Sequence, residues 1–505
     1  MSAPSSPTPS SAPDPFDSAR AELEVVIARV KSRKVAGMQH SEVEALVEKE
    51  GRKVLLDVYQ GYLDVQAQGE SGDAFTGADG VERGHQRETS RVLTTVLGDC
   101  TVHRLHMTAR DASGGLHPLD VDLNLPPEQQ SHHVQRRVGW LAANEPFNAV
   151  VESLTETCGA EVAKRQVEFL TRRAAEDFEA YYEGSDPAPL TAGQLMVLTF
   201  DGKGIVMRPD GLREGTRRAA EKAKPHLEHR TSPGEKKDRK RMAEVAAVYG
   251  LDPVPRTVDD ILEELDGKHK PRPRPVDKRV WASVVNDPDY VIRDAIYEAL
   301  GRDEDVEHTW VILVDGQDEQ LRAIKRQVVA SGIKPIYVLD LIHVIEYLWK
   351  AAWCLFEKAD PDADTWVTER LRRLLEGDCS GVAAGIRRSA TRRRLEPDQR
   401  KNMDKCADYL LKYKKMLKYD EFLAAGFPIA TGVIEGACRH LIQDRMDITG
   451  ARWSLDGAEA VLRLRSLRSS GDFDAYWQFH LAQERKRNHL SRYAEHEFTH
   501  FREAA

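Results

Sequence analysis

Apolar residues in the first stretch of the chain recur at helical spacing. Leu23, Val26, Ile27 and Val30, then Val43, Leu46, Val47, Leu55, Leu56, Val58 and Tyr62, predict two amphipathic helices over residues 16–67. The period then changes. A Gly-, Asp- and Gln-rich stretch over 69–86 reads as a loop, and SRVLTTVLGDCTVHRLHMTARD alternates well enough for two short strands. Helical spacing resumes after HPLDVDLNLPPEQQS, in NEPFNAVVESLTETCGAEVAKRQVEFLTRRAAEDFEAYYEG. Helix, short turn at Gly159 and helix make the layout of a helix-turn-helix, or of an ordinary helical hairpin.

Beyond residue 190 the pattern is that of strands. GQLMVLTFDGKGIVMRP predicts an apolar strand ending at Asp201, a Gly-flanked turn and a second strand. MAEVAAVYGL reads as a possible strand, and KHKPRPRP as a linker, with mobility or DNA contact expected around Lys268–Arg274. In TWVILVDGQDEQLRAIKRQVVASGIKPIYVLDLIHVIEYLWK, strand, helix, strand and helix alternate, which predicts parallel strands with a crossover helix. Asp201 and Asp315 would then stand side by side at adjacent strand ends. From His343 to Glu435 the pattern is almost wholly helical, and DFDAYWQFHLAQERKRNHL reads as a closing helix with a basic end.

Composition narrows the class. The chain has 505 residues, a net charge of −9 and 31% charged residues, enough length for several domains. Residues 1–15, rich in Ser, Pro and Ala, read as a disordered tail. No apolar run is long enough to span a membrane and no signal-peptide pattern opens the sequence, so a cytoplasmic protein is expected. The six cysteines form no C-x-x-C pair, which argues against a disulfide framework or zinc ribbon. Cys100, His103 and His106, with His117 nearby, read either as zinc ligands or as strand surface and packing.

The candidate chemistry lies in three acids. Asp201 and Asp315 end apolar strands, and Glu435 sits in GVIEGACRHLI, where Gly432, Gly436 and Ala437 would let a helix pack closely on the sheet. Cutting a phosphodiester requires charge stabilisation at the attacking and leaving oxygens, which two metal ions roughly 4 Å apart supply. Hard Mg²⁺ prefers carboxylate oxygens, and three converging carboxylates without a cation would repel.

These motifs together carry a resemblance. DGKG, VDGQ, the D-x-x-H of Asp340 and His343, and GVIEGACRHLIQDRMDITGARWSLDGAEAVLRLRS are similar to the catalytic region of DDE insertion-sequence transposases of the ISKra group, in the Mutator-like superfamily. The resemblance covers roughly residues 90–480, and its most specific part joins Glu435, Gly436, Arg445, Gly450, Arg452, Trp453 and the LRLRS run.

It implies an α/β, RNase H-like mixed sheet with flanking helices over 191–345 and 425–470, and an all-helical insertion over 346–424. An N-terminal helical region at 16–90, a small β module with the helix-turn-helix at 91–190 and a C-terminal helix at 471–505 complete the expected layout. The implied activity is DNA cleavage and strand transfer at the element's ends. Asp201, Asp315 and Glu435 would be catalytic and hold two Mg²⁺, for which Mn²⁺ can substitute. The implied partners are double-stranded DNA, as terminal inverted repeats and target, and a second copy of the chain in the active complex.

Asp340 also ends a strand and rivals Asp315 as the second metal ligand; the assignment favours Asp315, with Asp340 and His343 supporting. The expected DNA contacts are Lys164 and Arg165 on the recognition helix, Arg392 and Arg393 in the helical insertion, and Arg452 and Trp453 beside the catalytic helix, where packing on the sheet is the alternative for the last two. A basic cluster includes Lys236, Lys237, Arg239, Lys240 and Arg241. The chain departs from the family in lacking its cysteine-based zinc motif. Two alternatives share much of the sequence pattern: an RNase H-like nuclease without strand transfer, and a domesticated, non-catalytic DNA-binding protein.

Overall fold

A computed structural model describes residues 14–70, 72–222, 239–265, 267, 273–448 and 450–498. Residues 1–13 of the expected tail, Lys236, Lys237 and Lys268–Arg272 therefore lie outside the described residues. The chain forms two compact units, Met1–Tyr181 with Asp474–Ala505 and Tyr182–Phe473.

In the first unit, helices Asp17–Val30 and His40–Gln68 pack together, and the second opens with a capping box in which the Gln39 amide donates to the Glu42 carboxylate at 2.7 Å. The two-residue strands β1 (Phe75–Thr76) and β2 (Glu82–Arg83) lie where a loop was expected. An antiparallel hairpin follows, β3 (His85–Thr95) with β4 (Gly98–Thr108), each strand 11 residues long and so longer than the alternation predicts. Helices His132–Ala142, Phe147–Thr157 and Lys164–Arg173 share a core of Val134, Val138, Val150, Leu154, Val167 and Leu170. Gly159, in the turn before the last of them, is required by proximity: a Cβ there would lie 2.8 Å from the Leu97 carbonyl oxygen. Helix Phe473–Asn488 returns to this unit, where the Tyr476 hydroxyl donates to the Ala174 carbonyl at 2.9 Å.

The second unit is a mixed α/β arrangement around a five-stranded sheet in the order β7-β6-β5-β8-β9. The strands are β5 (Leu195–Val206), β6 (Lys240–Leu251), β7 (Val276–Ser283), β8 (Thr309–Val314) and β9 (Ile336–Leu339). β6 pairs antiparallel with both β5 and β7, while β8 and β9 continue from β5 in parallel. Val197, Leu198, Val245, Ala247, Val311 and Ile312 are fully buried, as strands covered on both faces require.

One expected turn is absent. DGKG does not reverse the chain; β5 runs straight through it and pairs with β6 along its whole length, Asp201 opposite Val245 and Gly204 opposite Met242. The glycines serve close approach instead, since a Cβ on Gly204 would come within 2.8 Å of the Lys240 side chain. Helices Leu341–Ala352, Pro361–Leu375, Cys379–Arg392, Pro397–Lys412 and Tyr419–Ala424 fill the span before the Glu435 segment.

Candidate active site

Sheet register sets the acids level. Parallel pairing aligns Thr199 with Leu313 and Val314 with Leu339, so Asp201, Asp315 and Asp340 fall at one height across β5, β8 and β9. Asp201 lies where β5 loses β8 as a neighbour, and its carboxylate accepts from the Gly202 amide at 2.7 Å and the Cys438 thiol at 3.0 Å. Asp315 follows the last residue of β8 and accepts from the Gln317 amide at 2.7 Å.

The backbone around Asp315 is anchored from the helical region. The Tyr409 hydroxyl donates to the Asp315 carbonyl at 2.7 Å and the Tyr413 hydroxyl to that of Gly316 at 2.5 Å, while Tyr347 stacks on Tyr409 at 4.0 Å. Gly316 has φ +87°, and a Cβ on it would approach the Tyr413 ring to 2.9 Å, so neither the turn nor the packing admits a side chain.

Glu435 is exposed on the short helix Gly432–Ala437, which runs directly into a π-helical turn, Cys438–Gln443. Such wide turns frequently mark functional positions. Here it carries Cys438, the thiol on Asp201, on the same continuous stretch as Glu435.

A fourth acid was missed from sequence. Glu244 of β6 sits opposite Gly202, is 7% exposed and accepts from the Gln320 side-chain amide at 2.8 Å. Its position as the lone charge in AEVAAVYGL is the signal that could have found it. Burial pushes its carboxyl up to about 7, and the neighbouring charges of Asp201 and Asp315 add to the shift. Burial likewise raises Asp315, with Asp201 and Asp340 adding and the Gln317 amide and His343 opposing. Glu435 is raised by burial and then by Asp340 and Asp201, against His343. Among the described residues, Asp201, Glu244, Asp315 and Glu435 form no ion pair with Lys or Arg.

Asp340 is different in kind. It is fully buried as the N-cap of Leu341–Ala352; one oxygen accepts from the amides of Ile342 and Thr431 at 3.4 and 2.9 Å, the other from the His343 amide at 3.3 Å and its Nδ1 at 2.7 Å. The hydrogen bond to Asp340 raises the His343 imidazole to about 9, so it is cationic at neutral pH, beside Asp315 and Glu435.

Among the described residues, the group whose ligand atoms all lie within 4.8 Å is Asp177, His480 and Glu484, and no three of the predicted acids form one. Those three belong to an ion-pair network: Arg487 pairs with both carboxylates and Arg173 takes both Glu484 oxygens at 2.8 and 2.9 Å. Two guanidiniums already supply the charge a cation would bring, so we read the cluster as structural. Cys100 is buried and the His106 ring stacks on His117 at 4.7 Å, in keeping with strand packing.

The expected DNA contacts divide. Lys164, Arg165, Arg392 and Arg452 are exposed. Arg393 is also exposed but donates to the Leu355 carbonyl at 2.8 Å and lies over the Phe356 ring. Trp453 is 6% exposed; its indole donates to the Met446 carbonyl at 3.1 Å and its backbone bridges to Met207, so the ring packs in the core rather than facing a ligand. No protein-family model matches the chain, and no curated protein matches it.

Proposed function

We propose that this protein is a DDE-type transposase whose second unit is an RNase H-like catalytic domain that cuts the ends of its insertion sequence and joins them to target DNA. The observation that carries the reading is the set of Asp201, Glu244, Asp315 and Glu435, gathered at one region of the sheet without a Lys or Arg partner among the described residues. Like charges placed together raise one another's carboxyl pKa, a cost that a bound cation removes.

The donor set fits Mg²⁺. All four donors are hard oxygens, and among the described residues no three of them have ligand atoms within 4.8 Å of one another, which a pair of ions would accommodate better than one. Donors to a single Mg²⁺ lie within about 4.2 Å of each other, whereas donors to two ions about 4 Å apart lie wider. Asp201, on β5 between β6 and the end of β8, would be the ligand shared by the two ions, with Asp315 and Glu435 near it. The chemistry supplied when the ions are bound is activation of water or a 3′-hydroxyl and neutralisation of the leaving oxygen.

The chain's own residues do the rest. Tyr409 and Tyr413 fix the turn that presents Asp315. Asp340 holds the start of its helix and keeps His343 charged beside the site, where the imidazolium offsets part of the acids' repulsion. Lys164 and Arg165 on the exposed side of the third helix of the trihelical core would grip phosphates, as would Arg392 and Arg452. Pairing two element ends calls for at least a dimer.

The test is cleavage of labelled DNA bearing the repeats that flank the gene, with Mg²⁺ or EDTA, by wild type, Asp201→Asn, Asp315→Asn and Asp340→Asn. Mg²⁺-dependent nicking at the ends, abolished in Asp201→Asn and Asp315→Asn while low-salt binding persists, is expected. Cutting in EDTA, or unchanged cutting by Asp315→Asn, would refute the assignment.

A further inference from the structure

A cavity of about 210 Å³ lies inside the first unit, where the end of helix Phe473–Asn488 and the residues after it close on the β3–β4 hairpin and the short helix Pro118–Asp122. Its walls carry three guanidiniums, Arg91, Arg104 and Arg492, against one carboxylate, Asp120. Arg104 and Asp120 are ion-paired. Arg91 donates to the carbonyls of Pro126, at 2.8 Å, and Glu128, and Arg492 donates to that of Gly115 at 2.7 Å. Among the described residues neither of these two forms an ion pair, so the carbonyls hold their direction and leave their charge unmatched. Glu70, which feels both Asp120 and Arg104, adds only part of a negative charge at neutral pH, because burial pushes its carboxyl up to about 7.

The walls also hold three buried polar atoms that have no hydrogen-bond partner among the described residues: Nε of Arg104, Oδ1 of Asp120 and the Tyr493 hydroxyl. Tyr493 is 3% exposed and Asp120 8%. Buried polar atoms ordinarily find partners, so three orphans around one space define what would fill it. The Arg104 nitrogen requires an acceptor, the Asp120 oxygen a donor, and the phenol takes either.

Guanidiniums without a carboxylate call for an anion, and their planar forks match the oxygens of a phosphate. The cavity has room for more than that group alone, since its volume is the share of about seven liquid waters at roughly 30 Å³ each. Beside Asp120 the remainder of the ligand has to be uncharged and to donate, as a hydroxyl does. We propose that this cavity binds a small phosphomonoester of a polyhydroxy compound, with its phosphate on Arg91, Arg492 and Nε of Arg104 and a hydroxyl donating to Asp120. The Tyr493 hydroxyl completes the set. Such a ligand fastens the returning end of the chain to the hairpin, and it stands independently of the transposase reading.

The probe is glycerol 3-phosphate, with inorganic phosphate and glycerol as controls, titrated calorimetrically into the full chain without divalent ions. One-to-one binding of the ester is expected, tighter than that of inorganic phosphate, with no binding of glycerol. Hydrogen exchange over residues 488–493 should slow in the complex. Tyr493→Phe removes a hydroxyl that has no partner, so the melting temperature without ligand should match wild type while affinity falls about fivefold, the loss of one hydrogen bond. Arg492→Gln, at an exposed position, should weaken binding about tenfold or more, the loss of a charge-assisted contact. Undiminished binding in both variants would put the ligand elsewhere and overturn the assignment. Inorganic phosphate bound as tightly as the ester would overturn the hydroxyl contact, and no binding of either would leave the cavity to water alone.

Discussion

Asp340 is fully buried and both its oxygens accept from protein donors, whereas Asp315 meets one backbone amide and the negative charges of Asp201 and Asp340. Asparagine offers only one acceptor atom. Asp340→Asn should therefore cost about 2–4 kcal/mol, whereas Asp315→Asn should leave stability unchanged or slightly higher, as urea denaturation at neutral pH will show. Equal losses would mean that Asp315 is held as tightly as Asp340. The His343 imidazole, raised to about 9 from an ordinary value near 6.5, makes this pair pH-sensitive in a definite sense. Its stabilisation is complete below about 6.5 and is lost as pH rises through 9; His343→Ala should flatten the alkaline arm of the stability profile. Asp201 and Asp315 were legible because apolar runs lead to them. Glu244 was hidden because it lies inside β6 rather than at the end of an apolar run, and the burial of Trp453 depends on a bridge to distant Met207, which local pattern does not encode.

At the scale of elements, the turn after β8 holds the site together. Gly316→Ala would force a side chain into φ +87° and against two tyrosine rings, at a cost of about 1–3 kcal/mol, and should lower cleavage more than binding because it displaces Asp315. Tyr409→Phe, which removes only the bond to the Asp315 carbonyl, should cost about 1 kcal/mol. Wild-type stability and cleavage in Gly316→Ala would show that the turn tolerates rearrangement. The parallel half of the sheet was readable, because strand and helix alternate through 309–352 and leave few topologies. The antiparallel half was readable only in part: MAEVAAVYGL was expected as a strand and is one, but its pairing along an unbroken β5 was not expected. Asp-Gly and Gly between apolar runs is the ordinary signature of a hairpin, and only the partner strand across the intervening residues straightens β5.

For the whole molecule, the unpaired acids link ion binding to folding. Glu244, raised to about 7, and Asp315 and Glu435, also raised, are favoured in their protonated forms, so the ion-free protein loses stability as pH rises through these values. Ions compete with those protons. Adding Mg²⁺ should raise the melting temperature more at pH 8 than at pH 6, and Asp201→Asn should abolish the increment in calorimetry. An equal increment at both pH values would disconnect the acids from the ion. The division into units was partly readable: the helical and β segments of the first 181 residues were expected, but nothing local marks helix Phe473–Asn488 as their companion, because its contacts, such as Tyr476 to Ala174, span the chain.

That return has a consequence in time. Arg173 finds Glu484 across 311 positions and Asp177 finds His480 across 303, so the half-buried Arg173 and the buried Asp177 emerge from the ribosome well before their partners exist. At about 5–20 residues per second the wait is roughly 15–60 s, long enough for the intervening second unit to fold first. The first unit, with the exposed cations of helix Lys164–Arg173, then closes last, and a polypeptide interrupted anywhere before Asp474 would carry its helices without the strap that completes them.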